Sequence, residues 1–234
     1  KKKKIFNDQY LIFKNKLLQN QRSDFYCAEE DFYPCMDDNT VTTAFDPHYL
    51  YHPAWAARRI KEANPLKHID ISSILCFSTL VSAFIPVDFY DYRPAGIKLK
   101  GLSVGSADLC NLHFDSNSVD SLSCMHTIEH IGLGRYGDPI DSDGDLKAIT
   151  ELSRVLAPGG RLYFVTPVGK PKICFNAHRI YSYEQILSYF SNLSLVEFSL
   201  IPDDGYKSGV IQNANPDLVS SQDYGCGCFI FTKV

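Results

Sequence analysis

The sequence predicts an α/β domain built on a mostly parallel sheet, and three observations carry that expectation. First, the run from Ser118 to Gly169 reads strand, loop, helix, tight turn, strand. Val119 to Met125 is apolar with polar residues at alternate places, as in a buried strand. Leu146, Ile149, Leu152, Val155 and Leu156 then recur at helical spacing. Pro158-Gly159-Gly160 is expected to stop that helix, because Pro lacks the N–H and Gly accepts positive φ. Arg161 to Thr166 follows as a second buried strand, and such a unit is nearly always right-handed and parallel. Second, 45% hydrophobic and 13% aromatic residues suit an α/β core. Third, 234 residues are enough for one such domain with additions.

The elements follow in order. Residues 1–50 read as an N-terminal extension and 51–234 as the main domain. In the extension, Ile5, Phe6, Tyr10, Leu11, Phe13, Leu17 and Leu18 suit an amphipathic helix. Residues 21–50 are polar and aromatic, an irregular cover that either shapes a pocket or simply packs. Pro53 opens a helix over 53–63, since Pro is favoured in the first turn. Lys67 to Ser73 is the first strand and its turn, Phe77 to Phe84 a helix, and Pro86 to Tyr90 the second strand. Leu99 to Val104 is a third strand. After the central unit, Phe175 to Tyr183 reads as a polar-aromatic loop and 183–190 as a helix with Ser182 at its N-cap. Leu193 to Ile201 and Tyr224 to Thr232 are the last strands. Residues 202–223 form a Gly/Asn/Asp/Ser-rich loop.

Composition narrows the function. A net charge of −4 and a pI near 6.0 offer no footprint for nucleic acid. Lys1 to Lys4 is read as a solvated terminus. No stretch of apolar residues is long enough to span a membrane, and residues 1–20 lack the apolar block of a signal peptide. The 8 cysteines are scattered, several in apolar runs, as in a reduced cytoplasmic protein. Cys226-Gly-Cys228 is too close for the usual zinc pair, so the sequence assigns no metal ligand there. Nothing in it fixes an oligomeric state.

The run "NSVDSLSCMHTIEHI" with "LKAITELSRVLAPGGRLYFVTPV" resembles the second half of a class I, Rossmann-like S-adenosylmethionine-dependent methyltransferase. His126, Glu129, His130, Arg154, Leu156, Pro158, Gly159, Gly160 and Pro167 carry the likeness. "CMHTIEHIGLGRYGDPID" and "FNAHRIYSY" more narrowly resemble a bacterial domain family of unknown function, the DUF268-like group. The resemblance extends over roughly residues 51–234. It implies a seven-stranded sheet with helices on both faces, the last strand antiparallel, and S-adenosylmethionine as cofactor. Asp70, Ser72 and Ser73 then stand at the cofactor turn, where the family usually has glycines. This chain has none there. Asp91 stands where a carboxylate accepts from both ribose hydroxyls. Asp108 and Leu109 stand where adenine is met, and His126 at the loop after the fourth strand.

His126, His130 and His178 are the candidate bases for an acceptor hydroxyl, because imidazole titrates near neutral pH. Glu129, Arg135, Asp138, Asn176, Arg179 and Tyr181 are the candidate acceptor-binding residues, for a small-molecule or carbohydrate acceptor. A surface-glycan pathway comes from the resemblance alone. Gly137 to Asp145 is acid-rich. Some sugar methyltransferases use Mg²⁺, and these acids would hold it, but they serve equally as helix caps or sugar-hydroxyl partners. Two other readings stay open. One is a binding protein on a degenerate methyltransferase fold. The other is a zinc hydrolase, because His126-Thr-Ile-Glu129-His130 spells the inverted zinc-protease motif.

Overall fold

The computed structural model describes residues 1–21 and 24–234. It divides into two compact units, Lys1–Phe45 and Asp46–Val234. The first holds helix α1 (Lys2–Gln19) and a 3₁₀ turn, Glu29–Asp31. Phe6 and Tyr10 set their rings edge-on to Phe32, with centroids 5.1 and 4.6 Å apart. The expected helix forms, but none of its residues is fully buried, and Leu11, Ile12, Phe13 and Leu18 are exposed within this unit. Residues 22 and 23 of the expected irregular cover lie outside the described residues.

The second unit begins with α2 (Pro47–Ala63), capped by Asp46, whose side chain accepts from the Tyr49 N–H. The sequence placed this start at Pro53. Pro47 instead takes the first helical position, and Pro53 lies inside the helix. The chain continues as β1 (His68–Ile71), α3 (Leu75–Val81), β2 (Val87–Asp91), β3 (Leu102–Ser106) and β4 (Val119–Met125). Then come α4 (Gly144–Val155), β5 (Leu156–Val168), β6 (Lys172–Cys174), β7 (His178–Ile180) and α5 (Tyr183–Tyr189). The unit ends with β8 (Ser194–Ile201), a short α6 (Gly205–Ser208) and β9 (Gly225–Thr232). Sheet order is β3-β2-β1-β4-β5-β9-β8; β1 to β5 pair in parallel and β9 runs antiparallel between β5 and β8. This is the seven-stranded Rossmann-like architecture that the resemblance implied.

Period-2 alternation sorts the core onto the two faces of the sheet. Leu162, Phe164, Phe229 and Phe231 meet α4 and α5 on one face. Tyr163, Val165, Cys226, Cys228 and Ile230 meet Trp55, Ile60, Phe77 and Val81 of α2 and α3 on the other. Trp55 Nε1 donates to Glu197 Oε1 at 2.9 Å and so ties α2 to β8.

Two expectations are corrected. The helix α4 ends at Val155, because Leu156 already has extended backbone, so Pro158-Gly159-Gly160 does not stop it. These residues form instead an irregularity in β5, where Val119 pairs with Leu156 but Ser121 with Arg161. Residues 175–183 are not one rim loop: β6 and β7 form a hairpin through them, and Ser182 then caps α5 in a full capping box with Gln185.

Candidate functional site

The carboxyl ends of the parallel strands are where an open α/β sheet binds ligands. A cleft of about 480 Å³ opens there, and Ser72, Asp91, Asp108, Leu109, His126, His130 and Asp138 all line it. Residues separated by most of the parallel sheet in sequence are thus brought to one place.

The turn after β1 settles what replaces the missing glycines. Ser72 has φ +56°, the left-handed conformation a glycine would supply. Its N–H donates to the Tyr90 carbonyl at 2.7 Å, and its own carbonyl accepts from Thr127 Oγ1 at 3.0 Å. Ser73 turns inward, where its Oγ accepts from the Met125 N–H at 3.1 Å. Asp70 is fully buried under the turn and does not line the cleft. It accepts from Ser123 Oγ at 2.6 Å and from Ser78 Oγ. Burial pushes its carboxyl up to about 6, against the pull of those serines.

Asp91 is the last residue of β2, and one of its oxygens accepts from the Arg93 N–H at 2.7 Å. Asp108 does the same for the Cys110 N–H at 2.8 Å, while Leu109 beside it is buried. Both acids are therefore turn formers and cleft-lining carboxylates at once. Tyr92 and Tyr136 also line the cleft, and Tyr136 lies between the Arg93 and Arg135 guanidiniums, 5.0 and 5.1 Å from its ring centroid. Sequence reading passed over both tyrosines, although Tyr92 directly follows the acid at the strand tip.

The segment His126 to His130 is a loop ending in a single 3₁₀ turn, Ile128–His130, not the helix a zinc-protease motif needs. Glu129 is fully buried between the two rings. Its Oε1 is 2.8 Å from His126 Nδ1 and 3.7 Å from His130 Nε2. The imidazoles thus flank a carboxylate instead of converging beside it. His130 Nδ1 donates to the Ala177 carbonyl at 2.6 Å, which leaves Nε2 to carry the lone pair. Arg135 Nη1 donates to the same carbonyl at 3.1 Å.

Other expected acceptor contacts lie elsewhere. Arg179 is buried and donates to the Ile131 and Ser142 carbonyls, and Tyr181 Oη donates to Asp145 Oδ2 at 2.8 Å. They anchor the loop that walls the cleft. Asn176 is exposed at the hairpin turn. His178 is half-buried beside Tyr224, with ring centroids 4.8 Å apart, and burial lowers its imidazole's affinity for a proton. Of the acids offered for Mg²⁺, Asp138 accepts from the Gly132 N–H at 2.7 Å and Asp141 pairs with Lys147 at 2.5 Å. Both are engaged in holding their own loop.

Residues 100–198, less than half of the chain, match the family described as "Caenorhabditis protein of unknown function, DUF268". The DUF268 likeness expected from sequence holds over this segment, though the description names Caenorhabditis and not bacteria. No curated protein matches the chain. Among solved structures, the fold is shared with the N-methyltransferase NodS from Bradyrhizobium japonicum in complex with S-adenosyl-L-homocysteine. There the TM-score is 0.53 at 15% identity, covering 78% of this chain and 85% of that one. It is shared with a 1,6-didemethyltoxoflavin-N1-methyltransferase from Burkholderia thailandensis, at TM-score 0.56, 8% identity and 78% coverage of each chain. The [4+2]-cyclase SpnF has it too, at TM-score 0.52, 14% identity, covering 77% of this chain and 80% of that one. At such identities the likeness concerns the fold.

Proposed function

We propose that this chain, with its class I methyltransferase fold and its DUF268 segment, transfers a methyl group from S-adenosylmethionine to oxygen on a small hydroxyl-bearing acceptor. The observation that supports it is the convergence of Ser72, Asp91, Asp108 and Leu109 on one cleft at the carboxyl edge of the sheet. The donor set fits the cofactor. Asp91 offers a carboxylate to a ribose diol, Asp108 accepts from an exocyclic amine, Leu109 gives the ring an apolar neighbour, and the Ser72 backbone keeps the glycine conformation.

When bound, S-adenosylmethionine would supply an electrophilic methyl group, with its sulfur as the leaving group that keeps the C–S electron pair. The protein's share is to orient the acceptor and take its proton. His130 is the base in this reading: the Ala177 carbonyl fixes its tautomer, Nε2 makes no hydrogen bond and has only the Glu129 carboxylate nearby, at 3.7 Å, and the ring lines the cleft. Tyr92 and Asp138 line the same cleft and suit a sugar-like acceptor, with an aromatic face and a carboxylate for hydroxyls.

A second reading, a non-methylating protein on the same fold, is favoured by the serine in place of glycine at the cofactor turn. Calorimetric titration with S-adenosylhomocysteine separates the two. Methyl transfer expects micromolar binding to the wild type and at least a tenfold loss in Asp91→Ala, about 1.4 kcal/mol or more. A folded wild type that takes up no ligand at millimolar concentration sinks the methyltransferase reading.

A further inference from the structure

Behind the His126 side of the cleft lies a second group of side chains that methyl transfer does not need. His48 from the first turn of α2, His126 from the β4 loop and Cys226 from the start of β9 are all buried. One ligand atom from each lies within 4.8 Å of the others. The His48 and His126 rings stack at 5.3 Å, and His52, one turn along α2, has its ring centroid 5.0 Å from that of His126.

The hydrogen bonds around this group leave buried nitrogens of His126 and His52 without a partner, while His48 is hydrogen-bonded to the Tyr224 backbone. His126 Nδ1 must donate to the Glu129 carboxylate at 2.8 Å, so in the neutral ring Nε2 carries the lone pair. That Nε2 is buried and has no hydrogen-bond partner among the described residues, and the His126 side chain is only 2% exposed. His52 repeats the pattern: Nδ1 donates to the His48 carbonyl at 2.7 Å, and Nε2 is buried without a partner. Glu129 Oε2 is a third orphan. A buried carboxylate with one oxygen left unpartnered is costly unless a cation balances it.

We propose that His48, His126 and Cys226 bind a divalent d-block cation of the zinc type. Two imidazole nitrogens and a thiolate are the donor set such ions prefer. The His126–Glu129 pair has the carboxylate–histidine arrangement that usually backs a metal-bound imidazole. Binding replaces the Cys226 thiol proton, which leaves to solvent, and the Glu129 carboxylate then faces a net positive centre. Ligand atoms around zinc sit roughly 3.5 Å apart, so the group has to close by about 1 Å. The fourth position falls to an outside ligand. The site joins α2 to the sheet and fixes the His126 wall of the cleft. It does not depend on the cofactor reading, since it needs neither ligand nor acceptor.

The test uses the untagged full chain without cofactor. Co²⁺ is titrated into metal-stripped protein and followed by absorption. The expected result is a single equivalent giving visible d–d bands of a four-coordinate ion and a near-ultraviolet thiolate–cobalt band, displaced by Zn²⁺. Cys226→Ser should lose the thiolate band, while Cys228→Ser keeps it. A folded wild type that binds no Co²⁺, or binds it without the thiolate band, overturns the proposal even if Cys226→Ser fails to fold. So does a thiolate band that survives in a folded Cys226→Ser.

Discussion

Two tight turns in this sheet meet similar backbone demands with different residues. The turn after β1 uses Ser72 at φ +56°, and the irregularity in β5 uses Gly159 at φ +75° followed by Gly160. Around Gly160 there is no room for a side chain: a Cβ would meet the Ala157, Val119 and Asp120 carbonyl oxygens at 2.9, 3.0 and 3.1 Å. Ser72 is only half-buried and its side chain fits. What the β1 turn requires is a backbone conformation, which serine reaches with some strain. What β5 requires at Gly160 is space, for which glycine alone suffices. A glycine-based motif is therefore a strong signal in β5, while its absence after β1 leaves the backbone shape of the turn in place.

The largest effect expected from that contrast is at Gly160. Gly160→Val drives a branched side chain into three backbone oxygens that cannot move aside, and overpacking of this kind costs about 3 kcal/mol. Urea unfolding should show the midpoint falling with the slope unchanged. A loss under 1 kcal/mol would mean that the β4–β5 irregularity rearranges freely, and that space was not the constraint.

An effect on the order of 2 kcal/mol is expected beneath the β1 turn, and it depends on pH. Asp70, raised to about 6, favours its protonated form in the folded chain more than in the unfolded one. Its contribution is therefore fully present below the unfolded value near 3.8 and is lost as pH rises through 6. Buried His68, lowered to about 3, has the opposite sign: its contribution is present above 6.5 and is lost as pH falls toward 3. The two meet at Ser123, whose Oγ lies 2.8 Å from His68 Nε2 and donates to Asp70 at 2.6 Å. The stability of wild type minus that of Asp70→Asn isolates the carboxyl, and it should fall between pH 4 and pH 7. A flat difference would show that the serines hold Asp70 ionised throughout.

The same contrast explains what the sequence reveals. β4 is legible to the residue, because an apolar run with polar bounds has one reading; so is the Ser182 cap, because its partners lie three residues away. The start of α2 is not, since Pro47 and Pro53 both look like first-turn prolines and only the Asp46 cap decides. Asp91, Asp108 and Leu109 reach the cleft, as the sequence predicts, because each lies at or just beyond the end of a strand. Arg179 and Tyr181 mislead, because polar-aromatic composition looks the same whether it faces a ligand or ties down a wall. The group of His48, His126 and Cys226 is invisible, for it is assembled from α2, the β4 loop and β9 with no local spacing to announce it.

The smallest effect returns to Ser72 itself. A non-glycine residue at positive φ carries about 1 kcal/mol of strain, part of which glycine gives back through its freer unfolded chain. Ser72→Gly should thus be neutral or more stable by up to about 1 kcal/mol, losing only a 3.4 Å contact from Ser72 Oγ to the Tyr90 carbonyl. Binding of S-adenosylhomocysteine should be unchanged, because the cleft is offered the same backbone. Ser72→Val, with a branched Cβ at φ +56°, should be destabilised instead. If Ser72→Gly keeps its stability yet loses the ligand, the hydroxyl itself makes the contact. The serine would then be a specific feature of this cofactor site, and the turn would differ from the glycine version in chemistry as well as in strain.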